Sequence, residues 1–312
     1  MIVENLSHEE YKNLKLVSHF FNSVNFINHN KYKCDEVQYL VFKDSKVRFG
    51  LVIGIKDGII YTPFSAPFGG FSYSKNDIKH HMFSKAVKAL KEYLLLNNFK
   101  RMSIFLPPSI YDEQNSAKII TALLMGGFLI DFVDINHSYN LRKFNSNYID
   151  KVQYGAKKSL KISLSKSLKF TSCISIEEKT TAYDIIKKNR SQRGFPLKLK
   201  LKDVLETANL TESYFFIVSK QDGEPIASAI CYEVQNDVVQ VIYWGGLVEY
   251  GEYKPINFLS YKIFEYFKGI GYQTVDIGPS SERGVVNFGL SEFKESIGCD
   301  KHLKFHLTIK GV

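Results

Sequence analysis

The chain has 312 residues, 45% of them apolar and 14% aromatic, so it can bury a sizeable core and is long enough for two domains of about 150 residues. Its net charge of +9 suits an anionic partner such as a nucleotide, a phosphorylated lipid or tRNA, although Lys-rich chains without such a partner are as common. No run approaches the roughly 18 consecutive apolar residues that span a bilayer. The opening segment MIVENLSHEEYKNLK is acidic and polar where a secretion signal is basic and then apolar, which reads as a cytoplasmic protein. Cys34, Cys173, Cys231 and Cys299 stand singly, without CxxC or Cys/His spacing, which argues against a disulfide framework and against a metal site.

Along the chain, residues 9–22 predict a short helix. YLVFKD and VRFGLVIGIKDG predict paired strands with turns at Asp44-Ser45 and Asp57-Gly58. Ile78, Met82, Phe83, Ala86, Val87, Leu90 and Leu94 recur at three- and four-residue steps, which predicts a helix capped by Asp77 and running to residue 96. MSIFLPP is the short apolar run of a buried strand, stopped by Pro107-Pro108. A helix over 117–125 ends at Gly126-Gly127, and a strand covers about 130–141. Val152, Ala156, Leu160, Leu164 and Leu168 then fall every fourth residue while Lys151, Lys157, Lys158, Lys161, Lys166 and Lys169 take other faces, giving a basic amphipathic helix.

A strand near 170–174 and a helix over 181–194 follow. SYFFIVSKQDGEPIASAICYEV predicts a hairpin turning at Asp222-Gly223, and VVQVIYWGGL the next strand. Pro255 opens a helix whose buried face is Ile256, Leu259, Ile263, Phe264 and Phe267, ended by Gly269 and Gly271. The strand TVDIG, a helix around LSEFKES and the strand HLKFHLTI close the chain.

Residues 40–141 and 213–309 present the same order twice: strands, a Gly-Gly (Gly69-Gly70, Gly245-Gly246), a long helix, a strand, a turn and a strand. Pro108 precedes Gly127 by 19 residues and Pro279 precedes Gly298 by 19. This repeat predicts an α/β (α+β) protein of two domains, 1–145 and 146–312, each a mixed sheet flanked by helices.

The second copy resembles the GNAT acyltransferase fold, and the whole chain resembles its FemAB branch, in which two such domains stand in tandem. YGAKKSLKISLSKSLKF is similar to the basic helix that opens the family's second domain. KPINFLSYKIFEYFKGIGYQTVDIGPS is similar to its segment of proline, asparagine, helix, glycine and aspartate-bearing strand, and GLSEFKESIG to its closing helix with a Phe-Lys pair before a glycine. The resemblance implies transfer of an acyl or aminoacyl group to an amine, with acyl-CoA or aminoacyl-tRNA as donor and cell-envelope or polysaccharide precursors as acceptors. It also implies roles for Asn257 at the donor and for Lys294 as a donor contact or fixed charge. EYGEYKPIN departs from the glycine-rich loop with which acetyl-CoA-dependent members cradle a pyrophosphate, since it has one glycine and two glutamates. That leans away from acetyl-CoA.

Acyl transfer needs a polarised carbonyl and a deprotonated amine held together. Tyr243, Trp244, Gly245 and Gly246 could form a wall whose backbone polarises the donor, or else be core residues and a bulge. Arg190 and Arg193, three apart near a helix end, could grip a carboxylate or phosphate. Lys157, Lys158 and Lys161 could hold phosphates of a donor or a nucleotide-linked acceptor, or be a solvated face. Asp276 could be a general base or the orienter of one, and Ser280 shares its loop; a turn-capping role is the rival reading. A GNAT-fold RNA-binding or scaffold protein without activity would use the same basic helix.

Overall fold

In a computed structural model, residues 1–75 and 78–310 are described, and the chain forms two compact units. The first comprises residues 1–135, 282–285 and 302–312; the second comprises 136–281 and 286–301. The sequence reading drew a single cut at 145/146, whereas here each unit draws on separated stretches of chain.

The first unit begins with β1 (Ile2–Leu6), α1 (His8–Asn13) and α2 (Val24–Asn30). There follow β2 (Glu36–Lys43), β3 (Val47–Lys56), β4 (Ile59–Thr62), β5 (Phe71–Tyr73), α3 (His80–Leu96), β6 (Arg101–Phe105), α4 (Glu113–Met125) and β7 (Leu129–Asn140). Instead of one helix over 9–22, α1 stops at Asn13 and Lys15 turns left-handed at φ 48°. Asp77, the expected cap of α3, lies outside the described residues; α3 starts behind Lys79. Strand order is β1-β2-β3-β4-β6, with β5 also on β3. β4 and β6 run parallel, while β2–β3 and β3–β4 are antiparallel. The apolar stripes of α3 and α4, among them Phe83, Leu90, Leu94, Ile119 and Leu123, pack on Leu40, Phe42, Leu51 and Ile53, each burial contributing about 1.5–3 kcal/mol.

The second unit holds α5 (Tyr148–Lys151), α6 (Tyr154–Ser165), β8 (Lys169–Ser172), α7 (Ile176–Gln192), α8 (Leu201–Ala208), β9 (Ser213–Ser219), β10 (Pro225–Gln235), β11 (Val238–Gly246), α9 (Pro255–Gly269) and β12 (Thr274–Pro279). Two-residue strands β13 (Ser281–Glu282) and β14 (Val285–Val286), then α10 (Phe288–Ser296) and β15 (Asp300–Lys310), complete the chain. The order β12-β11-β10-β9-β8 has one parallel pair, β11–β12. Alternation along β10 sorts its two faces. Ala227 and Ala229 join the core with Phe258, Leu259 and Phe264 of α9, whereas Ser228 Oγ donates to the Ala182 carbonyl of α7 at 2.6 Å. α7 begins at Ser175 with a capping box, earlier than the expected residue 181.

The sequence repeat is visible as β2-β3-β4-α3-β6-α4-β7 against β9-β10-β11-α9-β12-α10-β15. Part of the last strand of each copy is assigned to the other unit. Residues 136–140 of β7 pair antiparallel with β12, and residues 306–310 of β15 pair antiparallel with β6.

Candidate functional site

The second unit contains a parted pair of parallel strands. β11 and β12 are in register only at Val238↔Thr274, Val239↔Val275 and Gln240↔Asp276, yet β11 runs on to Gly246. A bulge accompanies the parting: Cys231 faces Val241 and Ile230 faces Tyr243, so Ile242 is the extra residue. The bulge also resets the alternation. Tyr232 faces Gln240 and Ile230 faces Tyr243, so Gln240 and Tyr243 share a face that a regular strand would have denied them.

Asp276 is completely buried at the end of the ladder. Its carboxylate accepts from Asn136 Nδ2 at 2.8 Å, Gln240 Nε2 at 2.8 Å and the Gly278 backbone N–H at 2.9 Å. Gly278 itself is left-handed at φ 74°, a geometry glycine takes without strain. One turn of chain away, the buried Lys294 ammonium donates to the carbonyls of Ile277, Gly278 and Pro279 at 2.8, 2.8 and 2.9 Å. All three of its N–H bonds are thereby used on the bend that follows Asp276. Burial pulls the Lys294 pKa down to about 8 from its ordinary 10.5, opposed by the nearby Asp276 carboxylate. Ser280 is buried on the same bend, its Oγ without a hydrogen-bond partner among the described residues and its carbonyl accepting from Asn287 N–H at 2.8 Å.

On the β11 side, the Arg190 guanidinium lies over the Tyr243 ring, 5.9 Å from its centre, and its buried Nε has no hydrogen-bond partner among the described residues. Burial raises the Tyr243 phenol pKa, with Arg190 opposing. The phenol is therefore protonated near neutrality and able to donate. Trp244 points to the opposite face, where it meets the Phe293 ring edge-on at 6.0 Å. The space of a β-carbon at Gly245 is occupied by Asn189, whose Oδ1 would lie 2.7 Å away, and that at Gly246 by Ile256 at 3.1 Å. Asn189 Nδ2 donates to the Gly246 carbonyl at 2.6 Å. The glycine pair thus admits α7 and α9 to the strand end.

The structure therefore groups Asp276 and Ser280 with Lys294 of α10 at the β12 bend, and Tyr243 of β11 with Arg190 of α7. Arg193 is exposed at the C-cap of α7. Lys157 is held by Asp150 at 2.6 Å on α6, with Lys158 and Lys161 exposed beside it. Asn257 is half-buried in the first turn of α9. Sequence reasoning missed Gln240, Asn136 and Asn189. A glutamine in the apolar run VVQVIYW was a readable signal, since a buried amide needs partners.

Among the described residues no group of three His, Cys, Asp or Glu side chains could hold a metal ion, and no helix is long and apolar enough to cross a membrane. The turn before α9 is a short 3-10 segment carrying Glu249 and Glu252, with Lys188 bound to Glu249 at 2.6 Å.

No protein-family model and no curated protein matches the sequence. Solved structures do match in three dimensions. FemX aligns over 100% of this chain and 98% of its own with a TM-score of 0.71 and 11% identity. L-PGS from Bacillus licheniformis aligns over 97% and 90% with a TM-score of 0.59 and 11% identity. A tandem GNAT protein from the clavulanic acid biosynthesis pathway aligns over 99% and 98% with a TM-score of 0.51 and 9% identity. End-to-end coverage in each case shows that this chain has the FemX-like fold of two GNAT-type units in tandem.

Proposed function

We propose that the second unit transfers an acyl or aminoacyl group to an amine. The observation that carries this reading is the parting of β11 from β12 just beyond Gln240 and Asp276, which leaves a strand edge from Val241 to Gly246 open to a donor carbonyl. The amine nitrogen attacks that carbonyl, a C–N bond forms, and the donor's ester or thioester bond breaks. The protonated phenol of Tyr243 gives its proton to the leaving group and regains one from the attacking nitrogen, which sheds it as the C–N bond forms. Asp276 already accepts from three donors, so its part is to fix Gln240 and to offset the Lys294 charge.

Arg190 and Arg193 take the anionic part of the acceptor, a nucleotide- or lipid-linked precursor of the cell envelope or of a polysaccharide. Two glutamates in the turn before α9 oppose a pyrophosphate there, which favours aminoacyl-tRNA, or an acyl-CoA held elsewhere, over acetyl-CoA. Lys157, Lys158, Lys161 and Asn257 lie on the first turns of α6 and α9 and serve the donor's phosphates. Such a reaction belongs in the cytoplasm, where these donors are made.

A thermal-shift comparison of acetyl-CoA, longer acyl-CoAs, charged tRNA and UDP-linked wall precursors, followed by a transfer assay with whichever binds, tests this directly. The expected result is stabilisation by one donor class and one anionic acceptor, with Arg193→Ala weakening acceptor binding about tenfold while leaving the melting temperature alone. A panel without a shift and without transfer would replace this reading with that of a GNAT-fold scaffold.

A further inference from the structure

One end of the first unit carries apolar side chains that are exposed among the described residues. The last turn of α3 exposes Leu95 and Leu96, the last turn of α4 exposes Leu124 and Met125, and the start of β7 exposes Leu129 and Ile130. Leu96 is 82% exposed, Met125 74% and Leu129 71%. Three local contacts relate these segments, with the end of α4 meeting α3 at Val87 and Lys91, about 12 Å to 6 Å of helix rise before Leu95. A β-carbon at Gly126 would lie 2.4 Å from Val87 Cγ1, and one at Gly127 would lie 3.6 Å from Lys91 Nζ, so the end of α4 rests on α3. Phe99 N–H donates to the Leu94 carbonyl at 3.1 Å, folding the chain from α3 directly into β6. The first residue of β6, Arg101, lies 3.7 Å from Asp131 at the start of β7.

Basic side chains surround these residues. Lys88, Lys91 and Leu95 follow one another at three- and four-residue steps on α3 and so share a face, and Lys100 stands exposed before β6. None of Lys88, Lys91 and Lys100 has an ion-pair partner among the described residues. Lys310, paired in register with Arg101 at the start of β6, adds a further exposed cation.

Exposed apolar clusters of this kind mark interaction surfaces. Their surroundings discriminate between partners. Lysine is depleted at the cores of protein–protein interfaces because its ammonium is costly to dehydrate, whereas at a bilayer its stem lies along the acyl boundary and its head stays with anionic phosphates. We propose that this end of the first unit docks on an anionic lipid surface, with Leu96, Met125 and Leu129 entering the headgroup boundary and Lys88, Lys91 and Lys100 held by the phosphates. Docking of this kind requires no membrane-spanning helix and does not depend on the transfer reaction.

Sedimentation of the full chain with vesicles of phosphatidylcholine alone, or of phosphatidylcholine mixed with phosphatidylglycerol, reads the binding without any activity assay. Binding is expected to the mixed vesicles and to fall steeply with salt. Lys88→Gln and Lys91→Gln are each expected to lower it about fivefold, and Leu96→Ser about tenfold, with the melting temperature unchanged because all three positions lie at the surface. Equal binding to both vesicle types, or none to either, would overturn the proposal. So would a dimer in solution that Leu96→Ser dissociates, since the surface would then belong to a second copy of the chain.

Discussion

Lys294 is the residue whose environment departs furthest from the ordinary for its type. Three carbonyls hold its ammonium within the β12 bend, so Lys294→Met leaves three buried acceptors unsatisfied and should destabilise the second unit by about 3 kcal/mol. Its titration adds a signature of opposite direction. With the folded pKa near 8 and the unfolded one near 10.5, the unfolded chain binds the proton more tightly in that window, and the Lys294 contribution to stability rises as pH climbs through it. Urea denaturation of both proteins from below pH 8 to about 10.5 should show their difference growing; a flat difference would mean that the lysine is not desolvated in solution. Lys294 and Asp276 were legible in the sequence as candidates, but their partners were not. Asn136 lies 140 residues from Asp276, and only the pairing of β7 with β12 brings them together.

At the scale of elements, the repeat made most of the order readable, because a strand period giving way to a helix period survives even where identities do not. What escaped were elements specified by their neighbours. The segment of β1 is only five residues long and is a strand because β2 offers it an edge, with Asn5 Oδ1 accepting from the Tyr39 N–H at 3.0 Å. The α8 segment sits in a stretch rich in charge, to which the sequence reading assigns no element. The bulge at Ile242 was likewise invisible, since it depends on what β10 presents. The fit of α7 against the end of β11 is a further property of elements in contact. Gly245→Ala would set a methyl 2.7 Å from Asn189 Oδ1 and is expected to cost about 1–3 kcal/mol. In the Asn189→Ala background the same change should cost much less, so a double-mutant cycle with no coupling would show that the contact is not maintained.

For the whole molecule, the two units are interleaved in sequence although each has its own core. A fragment of residues 1–145, natural from the sequence alone, would lack the strand that pairs with β6 and would present Arg101–Phe105 as an open edge. It should aggregate or stay partly unfolded. Deleting residues 302–312 from the full chain should lower hydrogen-exchange protection in β6 of the first unit before it affects β11 of the second; equal loss in both would argue that the units do not fold as separate cooperative bodies.

The exchange of final strands also sets an order of events at the ribosome. Residues 306–310, which pair with β6, follow every segment of the second unit, so the first unit starts before the second and is finished after it. The second unit has its β7 residues available long before its own sequence is complete. A nascent chain arrested before residues 306–310 therefore carries an unfinished first sheet, and full burial of β6 awaits synthesis of that segment.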